Sequence, residues 1–481
     1  MKSAKYLVLS LAMVILAACA KMPLTDKNLP TPDIVANWAE NQTAGFQSSA
    51  AAVRHGWLDD LKIASLSLFV DEVLSNNPDF RATAHRMAAA GFNADVSRGN
   101  LYPSLNASFG ASRQHSSTPS VSSNSLSLGL DARWEADVWG RLSAAAAASE
   151  STYEAARADL AGARLSLAAQ VTQSWFDATE AQSQMDLATK TVESFERAVG
   201  IVEKRFNRGL STGLDLRLII SNLEAARASL SRRQDQLGQQ KRRLEVLAGR
   251  YPAAKIIAAG ALPDLIEDVP VGLPINILER RPDLRAARAR LHVAGYNNQA
   301  AHKAILPSFS ITAGGNNSSA NFSDLLRFDN IFWSLVGTVT QPIFQGGKLR
   351  NMARSQSEIF EAEKQIYARI LLTAFKEVED ALSSERSLKE QLKHTAIAAE
   401  NAIAAENVAL DQYGRGLIRI SVLLDSQRQS LAQQSQLLSV KRQRINNRIA
   451  LHLALGGDFT AAEVSPAQMI NKDRRNEGNS L

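Results

Sequence analysis

The side chains that could carry catalytic chemistry are scattered along the chain. His55, His85, His115, His292, His302, His394 and His452 show no HExxH pattern or other short spacing of metal ligands. No GxSxG nucleophile turn and no phosphate-cradling P-loop is present. Carboxylates are plentiful, but they fall in helical stretches where a solvated face explains them. A single cysteine excludes an intrachain disulfide and any zinc site built on several thiolates. The pattern points away from an enzyme and implies no metal or cofactor.

Cys19 is the exception. Lys2 and Lys5 precede an apolar run from Tyr6 to Ala18, the layout of a secretory signal. The run closes on Leu16-Ala17-Ala18-Cys19, which resembles a bacterial lipobox. There the cysteine becomes the mature N-terminus and carries an N-acyl chain and an S-diacylglycerol. By the same analogy Ala20, where an aspartate would retain the protein, suggests the outer membrane. Cys19 is read as an anchor and not as a nucleophile.

At 481 residues the chain is either several domains or one elongated architecture. Hydrophobic residues make up 45% and charged residues 21%, which argues against wholesale disorder. Aromatics are only 6%, and long stretches of Ala, Ser, Leu, Gln and Arg favour closely packed helices. Beyond the leader no apolar run is long enough for a transmembrane helix, so a polytopic inner-membrane protein is excluded. The formal charge of +6 falls to +4 without Lys2 and Lys5, and no basic block with interleaved aromatics suggests nucleic acid as a partner.

The elements that position these residues are written twice. Asn77-Pro78-Asp79-Phe80-Arg81 recurs as Arg281-Pro282-Asp283-Leu284-Arg285, an offset of 204. Leu101-Tyr102-Pro103-Ser104-Leu105 recurs as Ile305-Leu306-Pro307-Ser308-Phe309 at the same offset. Phe206-Asn207-Arg208-Gly209-Leu210 is answered by Tyr413-Gly414-Arg415-Gly416-Leu417, now at 207. This indicates an internally duplicated architecture. The boundaries read as a signal peptide over 1–18, an anchor and equatorial segment over 19–62, a first repeat over 63–270, a second over 271–457 and a tail over 458–481.

Within each repeat the hydrophobic period changes. Residues 63–98 and 274–303 read as helices closed by Pro103 and Pro307. Next, Leu105, Ala107, Phe109 and Ala111 alternate with Asn106, Ser108, Gly110 and Ser112. Leu126, Leu128, Leu130, Ala132 and Trp134 alternate likewise, and 309–313 and 333–339 repeat the pair, so each repeat contributes one hairpin. Loops are expected at 115–124 and 315–330. Trp134 and Trp139 fit either a membrane-interface belt or ordinary packing.

Very long proline-free helices follow, at about 142–207 and 348–413, each with a second helix at about 213–249 and 417–455. A helix of that length would reach on the order of 95 Å. Met185, Ala188, Val192, Phe195, Val199, Val202 and Phe206 keep the 3–4 spacing of a coiled-coil seam. Taken alone, the helices would suit a lipid-anchored periplasmic scaffold without a pore. The strands point elsewhere. Each has one apolar and one polar face, as in a water-filled barrel where open edges are forbidden. Four strands cannot close around a pore and two chains leave no lumen, whereas three chains supply twelve strands. The expected fold is an α+β membrane protein: a coiled-coil helical barrel with one third of a 12-stranded β-barrel from each chain.

The chain resembles the outer-membrane factor family, the TolC-like tunnels, and its lipoprotein branch. The resemblance rests on Leu273-Pro274-Ile275-Asn276-Ile277-Leu278-Glu279-Arg280-Arg281-Pro282-Asp283-Leu284-Arg285, on Gln341-Pro342-Ile343-Phe344-Gln345-Gly346-Gly347 and on Leu423-Leu424-Asp425-Ser426-Gln427-Arg428. It implies a homotrimeric exit duct, passive for drugs or other small toxic solutes. The implied partners are a periplasmic adaptor (membrane fusion) protein and a proton-driven inner-membrane transporter. A type I protein-secretion tunnel is the rival within the family. The resemblance also implies a periplasmic gate at the turns joining the long and short helices. Asp425 matches its gate aspartate and Arg428 the nearby arginine, while Asp215, Arg208 and Arg415 qualify by repeat position. Ser421 stands where many relatives carry an apolar gate residue. Without the resemblance, Asp425 reads rather as a solvated surface acid or as an i, i+3 helix pair with Arg428. Arg208 and Arg415 read equally as caps of helix-end carbonyls.

Overall fold

The computed structural model describes residues 38–39, 56–61, 63–117, 120–258, 260–265, 277–325, 327 and 331–458. Cys19, the leader, most of the expected equatorial segment and the C-terminal tail lie outside the described residues. The elements run α1 (Trp57–Asp60), α2 (Ala64–Asn76), α3 (Pro78–Gly99), β1 (Ser104–Ser117), β2 (Ser120–Ala136), α4 (Arg141–Asn207), α5 (Gly213–Leu247), α6 (Ile277–Arg280), α7 (Pro282–Lys303), β3 (Ser308–Ser319), α8 (Phe322–Leu325), β4 (Phe332–Thr340), α9 (Lys348–Gly414) and α10 (Ile420–Ala454).

The duplication is exact to the residue in three pairs of helices. Both α3 and α7 have 22 residues, α4 and α9 have 67, and α5 and α10 have 35. Local contacts repeat with them. Asn77 Nδ2 donates to the Leu247 carbonyl at 2.9 Å, and Arg281 Nη1 donates to the Ala454 carbonyl at 3.1 Å. Each pins the end of a short helix to the start of a 22-residue one. Gly249 and Gly456 follow those helix ends with φ of 69° in both cases. A Cβ on Gly249 would lie 2.8 Å from the Asn76 carbonyl oxygen, and one on Gly456 3.0 Å from Arg280, so only glycine fits.

The chain divides into two compact units. One contains residues 85–159 and 283–370; the other contains 33–84, 160–282 and 371–481. In the first unit the strands form one antiparallel sheet in the order β1-β2-β3-β4. Its register places Phe109 beside Leu128, Trp134 beside Ile311, Phe309 beside Val339 and Ala313 beside Leu335. Most of the apolar residues thus share one face, where Leu105, Phe109, Leu130, Trp333, Leu335 and Val339 are all exposed; Phe332 and Val336 lie on the other. The other face carries Asn106, Ser108, Ser127, Thr312 and Thr338, with an Arg133–Asp131 ion pair of 3.4 Å. No helix among the described residues is long and apolar enough to cross a membrane.

The second unit is helical. Its core at the α4–α5 and α9–α10 turns contains Val192, Phe195, Ala198, Val202, Ile219, Leu223, Tyr413, Ile420, Leu423 and Leu424. Most of the expected seam is therefore buried; Phe206 at its end is exposed.

Three expectations need correction. Residues 63–98 do not form one helix, because Asn77 is extended (φ −65°, ψ 122°) and caps the next helix by accepting from the Phe80 N–H at 2.9 Å. A residue before proline is driven out of the α region, and Arg281 before Pro282 breaks the second repeat in the same way. The loops at 115–124 and 315–330 are shorter than expected. The β1–β2 ladder continues through Gln114–Ser123 to Ser117–Ser120, and β3 extends to Ser319. Serine-rich segments carry no apolar alternation, yet their backbones still pair once the hairpin has set their register. The short helix α8 within the second loop was also not expected. Asn317, buried at its side, donates through Nδ2 to the carbonyls of Leu325 and Arg327 at 2.8 and 3.1 Å.

Candidate functional site

The residues expected at the gate lie on the two turns of the helical unit, and the structure brings only some of them together. At the α4–α5 turn, Leu210 N–H returns to the Arg205 carbonyl at 2.8 Å, and Gly209 takes φ of 72° to allow it. The α9–α10 turn repeats this, with Leu417 N–H on the Gln412 carbonyl at 2.9 Å and Gly416 at φ 82°. These are glycine-terminated helix ends, closed by six-to-one bonds.

Asp215 opens α5. Its Oδ2 accepts from the Thr212 N–H at 3.0 Å and from Ser211 Oγ at 2.9 Å, while its own N–H donates to Thr212 Oγ1 at 3.2 Å. This is a reciprocal capping box. The Thr212 N–H, the Ser211 hydroxyl and the Arg205 charge outweigh burial and hold the carboxyl below the ordinary aspartate range. Ser211 Oγ also lies 3.5 Å from Tyr413 Oη on the other turn. Asp215 is therefore connected across the two turns through one hydroxyl.

Arg205 was not anticipated, and it joins the turns most directly. Its Nη1 donates to the Tyr413 carbonyl at 3.2 Å and its Nη2 to the Leu210 carbonyl at 3.2 Å. Its guanidinium carbon lies 5.2 Å from the Tyr413 ring centroid, a cation–π distance. The available signal was the repeat itself. Arg205 aligns with Gln412, so one turn carries a cation that its duplicate lacks.

The remaining candidates stand apart. Arg415, one residue beyond α9, pairs with Asp411 of that helix at 3.0 Å, and Arg208 is exposed one residue beyond α4. Asp425 and Arg428 form an i, i+3 pair at 3.3 Å with side chains 80% and 65% exposed, and Ser421 is exposed one turn earlier on α10. Between them the helix turns inward. Gln427 is buried and donates to Ser194 Oγ at 3.1 Å, and Ser194 donates to Glu406 at 2.8 Å. This buried rung of three helices fixes the face of α10 that presents Asp425 outward.

In the strand unit the two tryptophans hold the strand–helix junctions. Trp134 Nε1 donates to the Leu101 carbonyl at 2.9 Å, and Trp139 Nε1 to the Pro307 carbonyl at 2.7 Å with its ring 6.2 Å from that of Phe309. Asp137 caps α4 by accepting from the N–H groups of Leu142 and Ser143 at 2.9 and 2.7 Å.

The two repeats are matched by one family model. The outer membrane efflux protein model matches residues 69–250 and 273–457. The chain belongs to the outer membrane efflux protein family. As a member it is an efflux channel of the outer membrane.

Other members resemble it along nearly their whole length. The toluene efflux pump outer membrane protein TtgF of Pseudomonas putida is 28% identical over 480 residues, covering 96% of this chain and 99% of TtgF. The cation efflux system protein CusC of Escherichia coli is 28% identical over 454 residues, covering 92% and 96%. Among solved structures, the open state of the MtrE outer membrane channel of Neisseria gonorrhoeae matches with a TM-score of 0.81 at 25% identity, over 93% of this chain and all of that one.

Proposed function

We propose that this efflux channel works as a homotrimer, as the passive exit duct of a tripartite pump. Its partners would be a periplasmic adaptor and a proton-driven transporter of the inner membrane. The reading rests on the sheet. Strands β1 and β4 have no second neighbour among the described residues, and an open edge in hydrocarbon leaves its N–H and C=O groups unsatisfied. Three chains supply twelve strands, the smallest number consistent with both closure and a lumen. The relatives' names span toluene and cations, which favours a duct that accepts what a pump delivers; small toxic solutes are its proposed cargo.

The periplasmic gate is proposed at the two turns. Arg205, Ser211 and Asp215 hold the α4–α5 turn against Tyr413, while Asp425 and Arg428 supply charge on an outward face. Three copies of Asp425 about one axis would favour cations over anions. Arg208, Arg415 and Ser421 are proposed only as secondary gate residues. Cys19 is the proposed lipidation site, and Cys19→Ala is expected to abolish incorporation of labelled palmitate.

The test is the native mass and bilayer conductance of detergent-extracted protein. Three chains with channel conductance are expected. A monomer with no conductance would overturn the reading.

A further inference from the structure

The internal duplication fixes more than the likeness of two halves, because repeat one also touches repeat two within the chain. That internal contact is the pattern for a contact between chains. Hairpin one pairs Leu105 with Ala132, and hairpin two pairs Phe309 with Val339. First strands therefore correspond at an offset of 204 and second strands at 207. A side-chain bond agrees independently: Trp134 donates to the Leu101 carbonyl in repeat one, and Gln341 Nε2 donates to the Ile305 carbonyl at 3.1 Å in repeat two. Arg98–Glu150 and His302–Ser357, at 2.6 and 3.1 Å, carry the same two offsets in the helices that flank each hairpin.

The β2–β3 ladder joins the second strand of repeat one to the first strand of repeat two. It pairs Ala132 with Ala313, Leu130 with Gly315 and Ala136 with Phe309. We infer that β4 of one copy pairs with β1 of the next in the register obtained by carrying this ladder over, so that Val339 faces Phe109, Gly337 faces Ala111 and Thr340 faces Ser108. The occupant of the open edge is a second copy of this chain, and the inference rests on the homotrimer proposed above.

Side-chain chemistry constrains the register separately. Val339, Leu335 and Trp333 share the apolar face with Phe309 and Ala313, and Phe109 shares it with Leu128 and Leu130. A slip by one residue would set Val339 against Ser108 or Gly110 and send every apolar side chain to the wrong face. Slips by two remain open to chemistry, and the duplication removes them.

The same transfer gives a task to a side chain that its own chain leaves bare. Ile343 is 89% exposed. Ile343 corresponds to Ala136, whose partner is Phe309, so Ile343 meets Leu105 of the next copy, itself 70% exposed. Some internal contacts have no counterpart. Lys303 Nζ donates to the Gly140 carbonyl at 3.2 Å within the chain, but Gly99 stands at the equivalent of Lys303 and offers no donor. Trp139 Nε1 donates to the Pro307 carbonyl at 2.7 Å, but Gly346 stands at the equivalent of Trp139. The seam between copies therefore lacks side-chain bonds that brace the seam inside each chain.

Cysteine pairs in the full-length protein test the register. Val339→Cys with Phe109→Cys and Thr340→Cys with Ser108→Cys together sample both kinds of antiparallel ladder position. Val339→Cys with Ala107→Cys or with Ala111→Cys report slips by two, and single-cysteine variants control for Cys19. Within one chain β1 and β4 are three strand spacings apart, about 14 Å, too far for a disulfide, so any bridge joins two copies. Oxidation is expected to convert the monomer band into covalent dimer and trimer for at least one of the first two pairs, and to leave the slipped pairs as monomer. Preferential bridging of a slipped pair, or a native trimer that no pair can bridge, overturns the register while the trimer stands. A monomeric wild-type protein sinks both. As a second measurement, Ile343→Asp is expected to lower the temperature at which the trimer dissociates; an unchanged temperature contradicts the Ile343–Leu105 contact.

Discussion

The guanidinium of Arg205 lies 5.2 Å from the ring centroid of Tyr413 and donates to the carbonyl of that same residue at 3.2 Å. One side chain from the first repeat thus holds the aromatic anchor and the helix end of the second. Gln412, its duplicate, has neither the charge nor the planar fork. Where the two repeats are otherwise alike, this asymmetry falls at the turns proposed as the gate.

Arg205→Ala is expected to loosen the turns and raise conductance in planar bilayers. If the clamp is worth about 1–2 kcal/mol, its loss shifts the balance of closed and open states by roughly 5–30-fold. Arg205→Lys should recover only part of this, since an ammonium keeps the charge over the ring but cannot bridge both carbonyls. Equal conductance in all three proteins would remove Arg205 from the gate.

Asp425→Ala combined with Arg428→Ala tests the outward charge. A higher conductance and a lower cation preference are expected, because the ring of carboxylates would be gone. An unchanged current and ion selectivity would leave the pair as an ordinary exposed i, i+3 bridge, worth only a few tenths of a kcal/mol.

The cap at Asp215 should be sensitive to acid. Its carboxyl is held below the ordinary aspartate range chiefly by the Thr212 N–H, so its stabilisation is present at neutral pH and is lost as pH falls through the folded-state value. Protease cutting at the turn should rise at pH values below the usual aspartate titration. Thr212→Ala, which removes one half of the box, should cost about 1 kcal/mol at neutral pH. Identical cutting from pH 7 down to strong acid would contradict this assignment.

His452 predicts a second pH dependence. It is buried on α10 and stacked on Trp57 at 5.8 Å, and burial, with the nearby Arg448 charge, pushes its pKa down to about 3. The unfolded chain binds a proton below the ordinary value of 6.5 and the folded chain does not, so stability falls as pH drops from there towards 3. Between pH 7 and pH 5 the loss should be roughly 2 kcal/mol. His452→Phe keeps a stacked ring without a titrating group, and its urea midpoint should change less over that interval. Parallel pH profiles for the two proteins would count against a buried neutral histidine.

The paired glycines offer a stability test of the duplication. Gly249→Ala and Gly456→Ala should each destabilise by more than about 1 kcal/mol, because both residues sit at φ of 69° and a Cβ would meet backbone atoms at 2.8–3.0 Å. Gly99→Ala, with open space around its Cβ position, is the control and should be close to neutral. Thermal melts of the three variants provide the measurement.

Much of this molecule was determined locally and could be read from its residues. Alternation from Leu105 to Ala111 requires a strand with one apolar face, and the absence of proline from 142 to 207 permits a helix of that length. The repeated Asn-Pro-Asp and Arg-Pro-Asp segments reveal the duplication. Asp425 and Arg428 could be paired from spacing alone, since residues three apart on a helix are neighbours whatever surrounds them. What tertiary structure decided was which residues meet across repeats. Arg205 and Tyr413 are separated by 208 positions, and Gln427 and Ser194 by 233. No periodicity says which of several exposed-looking polar side chains will be turned towards another helix. The register of β2 on β3 was likewise invisible, because the chain between Ala136 and Phe309 passes through two long helices and back before the strands pair. Local sequence sets the conformation of each element, but only packing sets the partner.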